Sequence, residues 1–550
     1  MAEKAKVLSG REPIDDQFWD YDEKGIRKYN PRKAAQCILE GTPMITIGEI
    51  KKTIYRYDRG VYRDDGRSFI ETTIQKLTGG HVRQNQVNET IFQIERATHA
   101  ERSILDSAPP NLVCVSNGIL NIVTGQLRQH DPQVVFLQRI PHPYNPASEC
   151  PKVIEFMETV LPKGFVPMIQ QWVGYLLYRR YAIKRAVILI GEADTGKTSM
   201  LRLMVALVGQ ENTSSVSLHE LVADDFSAYW LFGKLLNHYD DLAGADLQST
   251  ASFKMATGAG YLSAEKKFAE KFFFQNFAKL TFCTNMVPPV KKPDDAYYSR
   301  WMPIFFNHIF VEKDDGYIDR IINDPQEMEG FLAWAVEGLQ SLLKQGAFTY
   351  PYPPEEVRRL MERSGSTVAG FAQDCLGQDA GKVVKRDLMY AAYQAWTLAN
   401  GGAVVSPAKF GRLLPEVCPY IQRGDTRKDS TEKRSEHVWM NVQISVDDTA
   451  NTAFQEIISY ININNKLFNY PFQDNGLEKW GITRIWELIS IFLESEQTPG
   501  NSVSETALVA HLIHAGIGTE EAIKAIDLAL SSGNIFRAGG GYRSSCGAPP

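Results

Sequence analysis

Cysteine is scarce in this chain. Among 550 residues there are seven, at Cys37, Cys114, Cys150, Cys283, Cys375, Cys418 and Cys546, and no two form a C-x-x-C pair. That argues against a disulfide framework and against a zinc knuckle, and it fits a reducing compartment. Long apolar runs are also missing, and the start Met-Ala-Glu-Lys-Ala-Lys has no apolar stretch behind it. Neither a membrane span nor a secretory leader is therefore expected, and the expected location is the cytoplasm, of a cell or of an infected host. Excess basic charge is absent too, the net charge being −6. This excludes a protein that coats nucleic acid through a global field, but not one that touches it with a few cations inside a channel. What remains is 44% hydrophobic and 23% charged residues, a globular composition with room for three or four domains.

The most informative segment is Gly191 to Thr198, Gly-Glu-Ala-Asp-Thr-Gly-Lys-Thr, which matches G-x-x-x-x-G-K-[ST]. Chance can produce the bare pattern, so its context matters. Ala186-Val187-Ile188-Leu189-Ile190 enters it as a buried strand would. Met200, Leu201, Leu203, Met204, Leu207 and Val208 leave it with helical spacing, and Gly209 supplies a stop. A strand, a glycine-bearing loop and a helix N-terminus together make a phosphate cradle. The expected nucleotide-binding set is Gly191, Glu192, Ala193, Asp194, Thr195, Gly196, Lys197, Thr198 and Ser199. Lys197 is expected on the β- and γ-phosphates of ATP and Thr198 on a Mg²⁺ ion.

Hydrolysis also needs an acid for the metal, a polar group near the attacking water and a cation for the charge that develops. Leu231 to Tyr239 reads as a strand, interrupted by Asn237-His238 and ending in Asp240-Asp241. The two carboxylates are candidate metal ligands, the alternative being a solvated acidic turn. A second strand, Leu280 to Thr284, ends at Asn285, whose amide is suited to orient water. Arg300, among Tyr297, Tyr298 and Trp301, is a candidate finger into a neighbouring subunit's site. Lys254, Lys266, Lys267, Phe268 and Lys271 interleave cations with rings, the chemistry of single-strand contact. The alternative for that stretch is a solvated hairpin over a core strand.

Along the chain, residues 1 to 40 read as a loosely ordered lead-in and residues 41–150 as a small α+β domain. Its expected parts are a hairpin from Ile54 to Arg63, a helix near Phe69 to Leu77 and a second hairpin from Ile119 to His130. Helical patterns follow over 151–182 and 330–346, and Tyr350-Pro-Tyr-Pro-Pro354 breaks regular structure. Beyond it, residues 376–446 read as a helix-turn-helix unit with a wing. Its helix around Leu388 to Trp396 is followed by one opened by Ser406-Pro407. Residues 476–545 read as a second such unit, with Ser502-x-x-Glu505 as a capping box and a wing hairpin around Ile535 to Arg543. No repeat stands out between the two.

Taken together, Phe253-Lys254-x-x-Thr257-Gly258, Glu265-Lys266-Lys267, Ala278-Lys279-Leu280-Thr281-Phe282-x-Thr284-Asn285-x-x-Pro288 and Ser299-Arg300-Trp301 resemble superfamily 3 helicases. The likeness is to the branch of phage and plasmid primase-helicases and the poxvirus primase-helicase. It extends to Asn117-Gly118-Ile119-Leu120, Gln171-Trp172-x-Gly174-Tyr175 and Trp334-Ala335-x-Glu337-Gly338-Leu339, and covers about residues 50 to 445. The resemblance implies an α/β P-loop AAA+ core over 151–348, with a small N-terminal α+β domain and C-terminal winged-helix domains. It implies an ATP- and Mg²⁺-dependent replicative DNA helicase of a virus, phage or plasmid-like element. Single-stranded DNA would run through the channel of a homo-hexamer, with duplex DNA on the winged helices and a separate primase or polymerase as a further partner. It assigns Walker B to Asp240-Asp241, the channel hairpin to Lys254–Lys267, sensor 1 to Asn285 and the arginine finger to Arg300.

Two departures stand out. The Walker B strand is apolar in the family, so Asn237-His238 leaves open which aspartate is the main metal ligand. Many relatives carry an N-terminal primase domain for which there is no room here, so primer synthesis is not expected of this chain. The rival reading is a regulatory NTPase switch, or a DNA-binding replication initiator, that unwinds nothing.

Overall fold

The computed structural model describes residues 18–444, apart from 49–50, 224, 243–246, 259, 266–270, 291–292, 312–313, 315, 401 and 428–434, together with the strands Ile535–Ala538 and Gly541–Ser544. The chain divides into two compact units, Met1–Arg358 and Arg359–Pro550.

The first unit is mixed α/β, built on a parallel sheet. Its strands are β1 (Ala186–Ile190), β2 (Thr213–Ser214), β3 (Leu236–Tyr239), β4 (Lys279–Thr284) and β5 (Trp301–Phe305), in the order β2-β3-β4-β1-β5. Every residue of β1 and β4 is buried, as expected of parallel strands covered on both faces. The predicted strand at Leu231 to Tyr239 is shorter than expected, beginning only at Leu236, because Leu231 to Lys234 turn on themselves. In register, Thr284 lies beside Ile190 and Phe282 beside Tyr239. The C-terminal ends of β1, β3 and β4 therefore open on one edge of the sheet.

Three helices frame this sheet: α1 (Val166–Leu176), α2 (Lys197–Val208) and α3 (Pro325–Gln345). α2 buries Met200, Leu201, Leu203, Met204, Leu207 and Val208, the apolar positions that its pattern predicts. α1 and α3 cross where neither has a side chain. A Cβ on Gly174 would lie 2.2 Å from the Ala335 carbonyl oxygen, and one on Gly338 would lie 2.3 Å from that of Gln170. Trp172 on α1 donates its indole N–H to Thr281 Oγ1 of β4 at 3.1 Å, tying the helix layer to the sheet.

The segment before the P-loop corrects two expectations. Residues 18–40 are not a lead-in. Trp19–Tyr21 pairs with Arg27–Tyr29, and a helix at Pro31–Gly41 starts on an Asn30 cap whose side chain accepts from the N–H groups of Arg32 and Lys33. That helix buries Ala34, Ala35 and Ile38 in a cluster with Ile91 and Ile94 of an unpredicted helix, Gln84–Ala97. The expected boundary at 150 is also not a break in packing. Val113, Val115, Leu120 and Ile122, from strands Leu112–Val115 and Gly118–Asn121 and the residue after them, share one core with Trp172 and Leu189. The predicted hairpin at 54–63 is present as Thr53–Asp58 with Val61–Arg63, turning at Arg59 and Gly60, both at positive φ.

In the second unit, helices Thr367–Cys375, Arg386–Ala399 and Pro407–Val417 pack on an antiparallel sheet in the order Leu376–Lys385, Ser435–Ile444, Gln422–Arg427. Ser406 caps the last helix, with Pro407 in its first turn, as expected. Phe371, Tyr393, Phe410, Leu414 and Trp439 form the core, which begins at Val368 rather than at the expected 376. Ile535–Ala538 and Gly541–Ser544 pair as a hairpin where a wing is predicted. The remainder of the predicted second winged unit lies outside the described residues. Among the described residues no helix is long and apolar enough to cross a membrane.

Candidate active site

The loop between β1 and α2 is shaped by its two glycines. A Cβ on Gly191 would sit 2.4 Å from the Phe306 carbonyl oxygen. Gly196 has φ +93, and a Cβ there would also meet Val160 Cγ1 at 2.8 Å. Lys197, 7% exposed, opens α2 and donates from Nζ to the carbonyls of Gly191 (2.7 Å) and Glu192 (2.5 Å). Thr195 Oγ1 donates to Glu192 O at 2.9 Å, and Phe310 N–H donates to Asp194 O at 3.0 Å, closing the loop from the far side. The first-turn N–H groups of α2 lack intrahelical acceptors and add partial positive charge at this point.

Across the cleft, Asp240 and Asp241 follow β3 and Asn285 follows β4. Because β4 is inserted between β1 and β3, Asn285 emerges between the phosphate loop and the two aspartates. Thr198 Oγ1 donates to Asp240 Oδ2 at 2.8 Å. Asp241 adopts φ +64, a left-handed conformation that aspartate tolerates better than most residues. The turn is held by Leu242 N–H donating to Cys283 O at 2.9 Å. The resulting cavity, about 370 Å³, is lined by Ala193 to Ser199, Asp240, Asp241, Cys283, Thr284 and Asn285.

The polar break in β3 has a structural cause. Asn237 is buried, accepts from Ser214 Oγ and Val216 N–H at 2.9 Å each, and donates to Val216 O, so it stitches β3 to the loop after β2. Burial lowers the pKa of its neighbour His238, against the opposing charge of Asp240. Burial, reinforced by that same carboxylate, raises the Cys283 thiol well above its usual pKa, which keeps it protonated. A hydroxyl, two carboxylates and an amide are hard oxygen donors of the kind Mg²⁺ takes, and the ammonium with the helix N-terminus suits phosphate. The residues present fit ATP·Mg²⁺.

Other expected site residues lie elsewhere. The Arg300 carbonyl accepts from Ala186 N–H at the start of β1, so Arg300 stands at the N-terminal edge of the sheet, about 16 Å from the phosphate loop at 3.3 Å per residue. Its Nη1 donates to Ala296 O, its Nε is buried without a hydrogen-bond partner among the described residues, and it does not line the cavity. Lys254 is not on the expected hairpin. It sits on the preceding helix, Ala251–Ala256, with Nζ 2.6 Å from Asp294 Oδ2. The hairpin is Tyr261–Ala264 with Phe272–Gln275; exposed Lys271 immediately precedes its second strand. Lys266, Lys267 and Phe268 lie outside the described residues.

Sequence reasoning missed Cys283 and Thr284 as cavity walls, though they adjoin Asn285. It also missed Phe306 and Phe310, whose backbone groups brace the loop and which no motif marks.

Two family models match the chain. One, described as D5 N terminal like, matches residues 16–162, and the other, a family of unknown function (DUF5906), matches residues 189–300, from β1 to Arg300. No curated protein matches. Among solved structures, the A form apo structure of the NrS-1 C terminal region is similar at 14% identity and a TM-score of 0.41, covering 72% of this chain and 88% of that one. Another apo structure of that region is similar at 12% identity and a TM-score of 0.39, covering 75% and 99%.

Proposed function

We propose that this chain is an ATP-dependent DNA helicase serving replication of a virus, phage or plasmid-like element, working as a homo-hexameric ring on single-stranded DNA. The observation that carries the reading is the convergence of Lys197, Thr198, Asp240, Asp241 and Asn285 on one cleft at the C-terminal edge of the parallel sheet. The D5 N terminal like match ahead of that cleft supports it, as does the resemblance of the motifs to superfamily 3 helicases. In this reading the α/β core is of the P-loop AAA+ type.

Lys197 and the loop N–H groups hold the β- and γ-phosphates of ATP. Thr198 and Asp240 hold Mg²⁺, which when bound neutralises charge on the phosphate oxygens. Asp241 and Asn285 orient the attacking water. Arg300 of a neighbouring subunit brings the last positive charge, and a head-to-tail contact of that kind closes into a ring. The three-helix unit with its antiparallel sheet acts as a winged helix that holds duplex DNA or a partner such as a separate primase or polymerase.

The deciding experiment is strand displacement on a forked duplex, run with ATP hydrolysis and mass photometry. The wild type should assemble, hydrolyse and unwind, and Lys197→Ala should lose hydrolysis and unwinding together. Hydrolysis without displacement under all conditions would replace this reading with that of a nucleotide switch.

A further inference from the structure

A second cavity, of about 480 Å³, lies in the first unit and shares no residue with the nucleotide cleft. Its wall includes Trp334 and Glu337, three residues apart on α3, and Glu149, from the loop before the helix Pro151–Val160. Trp334 meets the Phe331 ring at 5.9 Å, and its indole N–H has no hydrogen-bond partner among the described residues. Glu149 and Glu337 are exposed, and neither carboxylate has an ion pair or hydrogen bond among the described residues. The charges around them are already engaged. Glu329 accepts from Ser148 Oγ and Asn145 Nδ2, Glu327 accepts from the N–H groups of Lys152 and Val153, and Lys152 pairs with Asp324 at 2.8 Å. The field at the cavity is therefore negative and unanswered. The Cys150 thiol, 1% exposed in the cavity wall, registers it: burial pushes its pKa up to about 12, and the charges of Glu327, Glu337 and Glu149 add to the rise.

The walls are held firmly. A Cβ on Gly330 would lie 2.0 Å from the Glu149 carbonyl oxygen, so the loop and α3 meet backbone to backbone. On the same loop, Ser148 at 2.5 Å and Asn145 at 3.0 Å are pinned to Glu329 of α3. Little ordering entropy is lost when a ligand enters so fixed a site. Its chemistry narrows the ligand. Two free carboxylates repel phosphate and nucleic acid. No group of three or more His, Cys, Asp or Glu residues is placed to hold a metal ion among the described residues. An indole flanked by carboxylates instead suits an organic cation, above all a guanidinium, which stacks flat on a ring and donates in a fork to carboxylate oxygens. The volume exceeds what a lone ion fills, so the cation arrives on a larger molecule.

We propose that this cavity docks a basic segment of a partner protein, with one arginine side chain laid over Trp334 and bonded to Glu149 and Glu337. Charge complementarity sets the partner's chemistry, and the fork of donors on a planar cation sets the residue. The inference uses no residue of the nucleotide cleft. It holds whether the chain unwinds DNA or acts as a nucleotide switch.

The test uses the full chain and saturation-transfer difference NMR, which reads weak ligands directly. The probes are the blocked tripeptide glycine-arginine-glycine, its citrulline counterpart, which keeps the shape without the charge, and spermidine. Wild type should saturate the arginine peptide well above the citrulline one. Glu149→Gln with Glu337→Gln should weaken arginine-peptide binding by about tenfold or more, and Trp334→Leu by about fivefold. ATP hydrolysis should be unchanged in both, because neither touches the cleft. Thermal unfolding checks that the variants fold, and the exposed glutamate pair keeps the test decisive should the half-buried tryptophan not be replaceable. Equal saturation of the arginine and citrulline peptides by wild type, or glutamine variants that bind as wild type does, would overturn the proposal. Spermidine saturated in preference to the arginine peptide, and lost in the same variants, would assign the cavity to a free polyamine and overturn the protein partner.

Discussion

Thr198 Oγ1 donates a hydrogen bond to Asp240 Oδ2 at 2.8 Å, joining the first turn of the phosphate helix to the end of β3. Asp241, one residue on, lines the same cavity from a backbone at positive φ. The two carboxylates are therefore not equivalent. In the proposed mechanism Asp240 shares the metal with Thr198, and Asp241 is left for the water. Asp240→Asn should weaken Mg²⁺-dependent nucleotide binding, read by titrating Mg²⁺ against a fluorescent ATP analogue. Asp241→Asn should keep that binding and lose roughly 10²–10⁴-fold in turnover. The reverse pattern would exchange their roles.

Arg300 stands at the far edge of the sheet from its own phosphate loop. If it acts on a neighbour, Arg300→Ala alone should lose roughly 10³–10⁵-fold in turnover. Mixing it with Lys197→Ala should restore part of the rate, because some seams then pair an intact loop with an intact arginine. A mixture no more active than its components at every ratio would rule out action between subunits.

Gly174 and Gly338 let α1 and α3 touch backbone to backbone. Gly174→Ala or Gly338→Ala puts a methyl group within about 2.3 Å of a carbonyl oxygen that belongs to a packed helix. Each should cost about 2 kcal/mol or more of stability, measured by urea denaturation. A loss below about 0.5 kcal/mol would mean the helices separate freely.

Lys279 is wholly buried, with Nζ donating to the carbonyls of Tyr178 (2.6 Å) and Phe277 (2.7 Å) and lying 4.3 Å from the Tyr175 ring. Burial pulls its pKa well below that of a free lysine. Between the folded and unfolded values the unfolded chain binds the extra proton, so stability contributed at this site rises with pH until about 10.4. Lys279→Met has no such proton. Its stability relative to wild type should fall as pH is raised from about 7 to about 10, by at most about 1.4 kcal/mol per pH unit. A difference that stays flat or grows across that range would show that the ammonium remains charged in the fold.

Much of the cleft was legible because its parts are local. The apolar run into Gly191, the glycines and the helical spacing after Lys197 are consecutive in the chain, and each carries its own physical reason. Asp240-Asp241 and Asn285 were legible singly, as polar residues at strand ends. The segment 18–41 was not legible, because its strands are three residues long and its helix buries only Ala34, Ala35 and Ile38 against a partner helix some fifty residues away. Asn237 was visible only as a flaw in an apolar strand, because its hydrogen-bond partners, Ser214 and Val216, come from another strand and its loop.

By itself, the order of residues determined the phosphate loop, the helix that follows it and the polar residues available for chemistry, since these depend on neighbours within a few positions. Tertiary structure alone decided which of them meet. Inserting β4 between β1 and β3 brings Asn285 between the loop and the aspartates, and the parallel pairing of β5 with β1 leaves Arg300 at the opposite edge. The run Phe272-Phe273-Phe274 shows the difference in its smallest form. Three identical side chains carry no alternation to read, and only pairing with Tyr261–Ala264 sets the middle ring facing solvent and its two neighbours inward.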